Sequence, residues 1–304
     1  RQEHCCTGGR DLSKEIAGAT MLRGIEILER DEMTRICILL SKPPDADVAK
    51  IILDVAQKYK KPCVICFING DPGEAEQRGL FFAGGLEEAV EKAVSLYEKK
   101  EYTPRLFTDD EQVVRDRAYA ESKKIGKGAY LRGLFSGGTL AEEAIWIISD
   151  IVGYTYSNVP LHRELKLKNS LQSYRNTIID LGEDEFTRGR PHPMIDFTLR
   201  TERIEKEAGE PECGIILFDV VLGYGAHPDP CAAIVPVIEK ARIRAQEDGR
   251  YILFVASVTG TEEDPQGAMD QTSRLEKAGV VVMPSNAQAA RFTALVLRDI
   301  QSSN

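Results

Sequence analysis

Apolar residues in the first third of the chain alternate between short continuous runs and longer stretches spaced three or four positions apart. The runs at 35–41 and 62–68 are typical of strands that are covered on both faces of a sheet. The spaced stretches at 46–58 and 85–99 predict amphipathic helices, as does a third stretch that starts at Ser13. This alternation predicts a parallel sheet with helices packed on its faces.

The same alternation starts again near residue 129, after a polar segment. Strands are predicted at 129–135, 176–181, 214–221, 251–258 and 280–283. Helices are predicted at 140–152, 196–208, 230–246, 266–278 and 286–299. Thr139 and Glu142 have the spacing of a capping box at the start of the first of these helices. Five strands alternating with helices is close to the count of a flavodoxin-like fold.

We therefore expect an α/β protein with two tandem flavodoxin-like domains, each with a doubly wound parallel sheet. The first domain is predicted at 1–104 and the second at 128–304. A polar connector at 105–127 separates them and holds one short helix at 109–122. The first domain is one strand short, so a strand that precedes Thr7 is expected to be truncated.

Composition excludes several classes of partner. The 304 residues carry a formal net charge of −9, and such an acidic surface repels nucleic-acid phosphates. No apolar stretch reaches the roughly 18–20 residues that a membrane span needs. Seven cysteines at irregular spacing do not form a secreted disulfide framework, so a cytoplasmic location is predicted. Cys63 and Cys66 form a C-x-x-C inside a predicted strand, where core packing is expected rather than redox chemistry.

Four glycine-bearing segments follow predicted strands or precede predicted helices. Adjacent glycines let backbone N–H groups approach an anion, and the positive end of the following helix adds to the attraction. The alternative is a set of tight turns that bind nothing. The candidate anion-binding residues are Gly8, Gly9, Arg10, Ser136, Gly137, Gly138, Thr139, Gly223, Gly225, His227, Gly260 and Thr261.

A long loop after the predicted strand 176–181 carries the candidate catalytic residues Arg188, Arg190 and His192. Arginine binds carboxylate or phosphate through paired N–H groups. His192, between two prolines, can donate to a carbonyl oxygen or act as a general acid or base. The alternative is that the arginines pair with the acidic side chains of the same loop, which are Glu183, Asp184 and Glu185.

The remaining histidines give weaker indications. His227 precedes Asp229, a predicted helix cap, and is either a ligand contact or simply exposed. The four histidines of the chain lack metal-ligand spacing, so no dedicated metal site is predicted.

Several segments together carry a resemblance to a known family. They resemble the FdrA family of acyl-CoA-synthetase-like proteins, which is related to succinyl-CoA synthetase, and they cover nearly the whole chain. The resemblance implies two flavodoxin-like CoA-ligase domains. Full-length members of the family carry a further N-terminal CoA-binding region that is absent from this sequence. The segments are 7–13, 41–44, 133–140, 189–196, 219–225 and 259–266.

The resemblance implies two alternative activities. In nucleoside-diphosphate-forming acyl-CoA synthetases, a Gly-His-Ala-Gly segment supplies a phosphorylated His, whereas the matching stretch here, 79–86, has no His. Some FdrA members are implicated in carbamoyl transfer between oxamate and phosphate, which needs oxyanion donors and no phosphohistidine. The resemblance therefore favours a carbamoyltransferase subunit acting on carbamoyl phosphate and a small carboxylate such as oxamate. The alternative enzyme is an ATP- or ADP-dependent acyl-CoA synthetase subunit, and the third hypothesis is a non-catalytic scaffold or regulatory protein.

In the favoured hypothesis, Arg188 and Arg190 hold phosphate or carboxylate and His192 polarises the carbonyl group. The glycine pairs 8–9 and 137–138 supply backbone donors. The expected ligand is a small anion, with carbamoyl phosphate, CoA or a nucleotide as candidates and no cofactor assigned. A homo- or hetero-oligomer with other subunits is also expected.

Overall fold

Two separate units make up the chain in the computed structural model, which describes residues 9–302. Contacts between Cα atoms divide the chain into Arg1–Pro104 and Arg105–Asn304. Each unit contains a parallel sheet with helices, so the predicted fold class is confirmed. The boundaries predicted for the two domains and the connector stay a prediction.

The first unit holds a three-stranded parallel sheet. Its elements are a 3-10 helix at Gly9–Leu12, α1 at Ala19–Arg30, β1 at Cys37–Ser41, α2 at Ala46–Gln57, β2 at Cys63–Phe67, α3 at Gly73–Glu76, β3 at Phe81–Phe82 and α4 at Leu86–Glu98. The strand order is β1–β2–β3. Every residue of β2 is buried, including Cys63 and Cys66, which agrees with core packing of this cysteine pair.

The second unit holds a six-stranded parallel sheet. Its elements are α5 at Glu111–Ser122, β4 at Tyr130–Phe135, α6 at Gly138–Val152, β5 at Tyr156–Ser157, a 3-10 helix at Arg163–Leu165, β6 at Thr177–Asp180, α7 at Asp184–Thr187, α8 at Thr198–Gly209, β7 at Cys213–Val221, α9 at Pro230–Glu247, β8 at Leu253–Thr259, α10 at Ala268–Lys277, β9 at Val281–Met283 and α11 at Asn286–Ser302. The strand order is β5–β6–β4–β7–β8–β9.

The strand order of this sheet reverses beside β4. The strand β4 is the first strand of the second unit but lies in the middle of its sheet. It pairs with β6 along one edge and with β7 along the other. One face packs on α5, α6 and α11, and the other packs on α8 and α9. Because both faces are covered, the strands are nearly continuous apolar runs, as their sequences predict.

The segment predicted as a connector folds onto the second unit. Val114 and Ala118 of α5 are buried in the core that α11 also lines. The backbone N–H of Thr108 donates to Gln288 Oε1 at 3.0 Å, and Gln288 Nε2 donates to Thr108 Oγ1 at 2.8 Å. This packing explains why α5 carries apolar positions within an otherwise polar stretch.

Three local predictions differ from the structure. The capping box is wrong, because α6 begins at Gly138 and its N-cap is Gly137, so that Thr139 lies inside the helix. The strand-to-helix turn predicted at 7–13 is a 3-10 helix where it is described, and its first two positions lie outside the described residues. The second unit has six strands where five were predicted, because β5 was not predicted. A strand of two residues is too short to show a hydrophobic pattern.

The described residues contain no helix that is long and apolar enough to cross a membrane. The same part of the chain contains no group of three or more His, Cys, Asp or Glu side chains placed to hold a metal ion.

Candidate functional site

Buried polar side chains gather at the carboxyl edge of the second unit's sheet, beside the reversal of strand order. Ser136 follows β4, Asp180 ends β6 and Asp219 lies near the end of β7, and each is at most 2 % exposed. Open parallel sheets bind their ligands at this edge, in the crevice that the reversal creates. This edge is therefore the candidate functional site.

The turn between β4 and α6 is tied to Asp219. The backbone N–H and the hydroxyl of Ser136 donate to the Asp219 carboxylate at 2.8 and 2.9 Å, and the backbone N–H of Gly137 donates to it at 2.9 Å. The donors of Ser136 and Gly137 are thus occupied by a carboxylate of the same protein, and binding of an external anion by these two residues stays a prediction.

The next residues of this turn leave their donors open. Gly138 and Thr139 occupy the first turn of α6, where backbone N–H groups have no partner within the helix. Among residues 9–302, neither N–H donates a recorded hydrogen bond. The helix α6 contains 15 residues, and their aligned peptide dipoles make its N-terminus the positive end. The N-terminus of α6 therefore presents two donors that have no partner within the helix.

Arg200 reaches Asp219 from α8, on the opposite face of the sheet. Arg200 Nη1 donates to the backbone oxygen of Asp219, and Nη2 lies 3.5 Å from Asp219 Oδ1. The guanidinium stacks on the ring of Phe197, with 4.6 Å between Cζ and the ring centroid. The arginine side chain is 0 % exposed; its burial lowers the pKa of Arg200, and Asp219 opposes that effect.

Gly182 lets His192 approach the same edge closely. A Cβ built at Gly182 would lie 2.8 Å from His192 Nε2 and 2.9 Å from the backbone oxygen of Ser136. It would also lie 3.1 Å from Asp180 Oδ1. Since contacts below 3.0 Å force a shift, only glycine fits between the imidazole and the Ser136 turn.

The hydrogen bonds of His192 fix its neutral tautomer. Its Nδ1 accepts a hydrogen bond from the backbone N–H of Met194 at 3.2 Å, so the single proton of the neutral ring lies on Nε2. Burial lowers the pKa of His192, while the Asp219 charge raises it and the Arg200 charge lowers it. The ring is therefore neutral near pH 7 and presents an N–H donor at the candidate site.

His227 is held in the same way, and its contacts are structural. Its Nδ1 accepts from the backbone N–H of Asp229 at 3.1 Å, and the backbone N–H of His227 donates to the backbone oxygen of Met194 at 2.7 Å. The ring packs on Phe197 at 5.0 Å between centroids. Asp229 caps α9 by accepting from the Ala232 N–H, as predicted. His227 thus joins its own loop to the loop that carries His192.

Arg188 and Arg190 are exposed, and both follow α7 and precede His192 by a few residues. Their role in holding an anion stays a prediction, and so does the alternative in which they pair with acidic side chains of their own loop.

The other predicted anion donors are engaged elsewhere or open to solvent. The N–H of Thr261 donates to Asp264 at 2.6 Å, and Gly260 packs against the Leu222 side chain. Gly225 has open space around it, and Gly223 is held by Gln266, whose side chain bonds both its N–H and its C=O. Gly9 lies in the 3-10 helix of the first unit. Gly8 and the Arg10 side chain lie outside the described residues.

Four residues that build this edge are not among the site residues predicted from the sequence. Asp219 was readable as a lone charge within an apolar strand, and Gly182 as a glycine directly after a strand. Arg200 and Gln266 gave no signal, because each lies in or beside a polar helix where such residues are ordinary.

Comparisons with known proteins bear on this geometry. A sequence model of the CoA-ligase family matches residues 134–296. The uncharacterized protein YahF of Escherichia coli (strain K12) is 39 % identical over 294 residues, which cover 96 % of this chain and 56 % of the relative. The chain thus spans about half the length of this curated relative.

Solved structures give only distant likenesses. PH0766 from Pyrococcus horikoshii OT3 aligns with a TM-score of 0.37 at 12 % identity, over 92 % of this chain and 55 % of that chain. The dinucleotide-forming acetyl-coenzyme A synthetase 1 of Ca. Korarchaeum cryptofilum, solved with phosphate and ADP, aligns with a TM-score of 0.43 at 14 % identity. That alignment covers 92 % of this chain and 56 % of the synthetase.

The family match favours the acyl-CoA-synthetase-like alternative and gives no support to carbamoyl transfer, the activity favoured from the sequence. The family match runs from the end of β4 into α11 and contains Ser136, Gly182, His192 and Asp219. Because it covers more than half of the 304 residues, the chain belongs to the CoA-ligase family.

Proposed function

We propose that the chain is the ligase part of an acyl-CoA synthetase-like enzyme and that its second unit binds the phosphoryl group of an acyl phosphate. The observation that supports this proposal is that the α6 N-terminus and the His192 Nε2–H both lie beside the Ser136 turn, at the reversal of strand order. Among the described residues, no hydrogen-bond acceptor is recorded for these donors, and the Arg200–Asp219 ion pair is buried next to them. Such donors match the oxygens of a phosphoryl or carbonyl group.

The proposed step joins the acyl group to a thiol. The sulfur of CoA attacks the acyl carbonyl, a C–S bond forms, and the bond between the acyl carbon and the phosphate oxygen breaks. The thiol proton leaves with the phosphate. The α6 N-terminus holds the departing phosphate, and His192 donates from Nε2 to the oxygen on which negative charge develops.

His192 acts in this proposal as a donor and not as a phosphate carrier. A nucleophilic Nε2 must be free of its proton, yet the Met194 N–H occupies Nδ1 and leaves the proton on Nε2. The step above needs no phosphohistidine, which is consistent with the absence of a His from residues 79–86.

Arg188 and Arg190 attract the anionic substrate. Both side chains are exposed, so they act through long-range attraction rather than through fixed contacts. Membership of the FdrA branch of the family, and a further subunit that completes the enzyme, are parts of this proposal.

A thiolysis assay tests the proposal directly. The full chain is mixed with acetyl phosphate and CoA, and loss of free thiol is followed together with release of phosphate; titration calorimetry with inorganic phosphate measures binding. We expect phosphate to bind and thioester to form, and His192→Gln to lower turnover by about 10²–10⁴-fold. The matched control is His162→Gln, because His162 is exposed and outside the site.

Two results would reject the proposal. The first is no binding of phosphate or acetyl phosphate at millimolar concentration. The second is transfer of the carbamoyl group of carbamoyl phosphate to the oxamate nitrogen, with release of phosphate, in place of thioester formation; that result would restore the carbamoyl-transfer hypothesis.

A further inference from the structure

The crevice at the reversal of strand order is filled by side chains of the protein itself. In other open parallel sheets this place receives the ligand. Here the Asp219 carboxylate enters it from β7 and the Arg200 guanidinium enters it from α8. Both side chains are 0 % exposed, so an incoming ligand cannot touch either of them.

This pair is poorly explained as a stabilising device. Arg200 Nε and Nη2 have no hydrogen-bond acceptor among the described residues, although both are buried. Removing a guanidinium from water without satisfying its N–H groups is costly, and apolar residues of similar volume often replace buried ion pairs without loss of stability. Stability alone is therefore a weak explanation for this pair.

Their contacts indicate what else the pair contributes. Three of the donors around the Asp219 carboxylate belong to the turn that begins α6, namely two from Ser136 and one from Gly137. Because these donors are already occupied, a substrate anion meets only the N–H groups that come next, those of Gly138 and Thr139. The position of the carboxylate thereby sets the direction in which the open N–H groups point.

We propose that Asp219 and Arg200 are positioning residues that hold the first turn of α6 and the His192 imidazole in register for one oxyanion. Asp219 acts through the Ser136–Gly137 turn, and Arg200 acts by holding Asp219 through its backbone oxygen. The His192 ring lies against the Ser136 oxygen across Gly182, so a shift of the turn also shifts the ring. This inference rests on the proposed function of the same site.

The same unit offers a matched control pair. Arg132 Nε donates to Glu207 Oε2 at 2.8 Å, and the two side chains are 3 % and 2 % exposed. Glu207 also accepts from Arg203 and from the Ser173 hydroxyl. This network is nearly as buried as the Arg200–Asp219 pair, and the hydrogen bonds recorded for it within the described residues go neither to the α6 turn nor to His192.

The experiment compares Asp219→Asn, Arg200→Lys and Glu207→Gln in the full chain. Thermal unfolding reports stability, calorimetry with inorganic phosphate reports affinity, and a two-dimensional ¹H–¹⁵N spectrum of the four imidazoles reports the tautomer and position of His192. We expect all three variants to lose stability. Only Asp219→Asn and Arg200→Lys should weaken phosphate binding, by about tenfold, and shift the His192 signals.

A milder variant covers the case in which Asp219→Asn does not fold. Ser136→Ala removes only the hydroxyl bond to Asp219, so we expect a loss of affinity of about threefold with the fold intact. The positioning role is overturned if the folded variants at 136, 200 and 219 bind phosphate as the wild type does and leave the His192 signals unchanged.

The imidazole spectrum separates this inference from the proposed function. If the wild type binds no phosphate but the His192 signals still shift in Asp219→Asn and not in Glu207→Gln, the proposed function fails and the positioning role stands. If the wild type binds phosphate and Asp219→Asn binds it equally well, the proposed function stands and the positioning role fails.

Discussion

Replacing Gly182 by alanine adds one methyl group at the most crowded point of the candidate site. The new Cβ would lie 2.8 Å from His192 Nε2 and 2.9 Å from the backbone oxygen of Ser136. Both contacts are below 3.0 Å, and because the Ser136 oxygen belongs to a turn held by three hydrogen bonds, the imidazole moves more readily than the turn. To reach an ordinary contact of about 3.4 Å, it must withdraw by about 0.6 Å.

This overpacking should cost about 1–3 kcal/mol in the free energy of unfolding. For a unit of this size, that corresponds to a fall in Tm of about 2–12 °C. The withdrawn imidazole should also weaken phosphate binding and slow thiolysis by about tenfold or more, since a displacement near 1 Å at a reacting centre can cost about 10²-fold.

The assay is thermal unfolding together with phosphate calorimetry and the imidazole spectrum. Gly126→Ala is the matched control, because Gly126 lies in the same unit with nothing within 4 Å of an added Cβ. We expect Gly126→Ala to be neutral or slightly stabilising in all three measurements. If Gly182→Ala behaves like this control, the close packing of His192 against Gly182 is wrong.

Three further results are expected. Because burial lowers the pKa of His192 below 6.5, the unfolded chain binds more protons in acid than the folded chain does. A fall in pH from about 7.5 to about 5 should therefore lower the Tm of the wild type more than the Tm of His192→Gln. Equal slopes of Tm against pH would contradict this. Gln266→Ala removes the bonds that hold the loop from Gly223 to His227 and should cost about 1–3 kcal/mol in urea unfolding; no change in midpoint would refute this role. Val114→Ala should cost about 1–3 kcal/mol by the same method, whereas the exposed Val113→Ala should cost little; matching values would argue against docking of α5.

Most strands of the fold could be predicted from the sequence because they are covered on both faces of their sheet. The strands β1, β2, β7 and β8 are continuous apolar runs, and their ends were predicted to within two residues. The two-residue strands β3 and β5 could not be predicted, because their formation depends on pairing with a longer neighbour rather than on their own pattern.

The site was predicted in part. The sequence indicated the glycine-bearing turn at 136–139 and the loop with His192, since glycine pairs after strands and prolines around a histidine are unusual. It could not indicate that Asp219 occupies the first donors of that turn, because the two segments are more than 80 residues apart in the chain. The capping box failed for the same reason, since a distant carboxylate and not Thr139 determines how α6 begins.

The sequence alone therefore determined the class of fold, the order of its elements and the segments rich in possible donors, since these follow from local pattern and composition. Only the tertiary structure decided which donors remain open and which donors bind the Asp219 carboxylate. It also decided which ring nitrogen of His192 carries the proton. Those properties depend on hydrogen bonds and burial between segments distant in the chain, and such contacts exist only once the sheet has brought β4, β6 and β7 side by side.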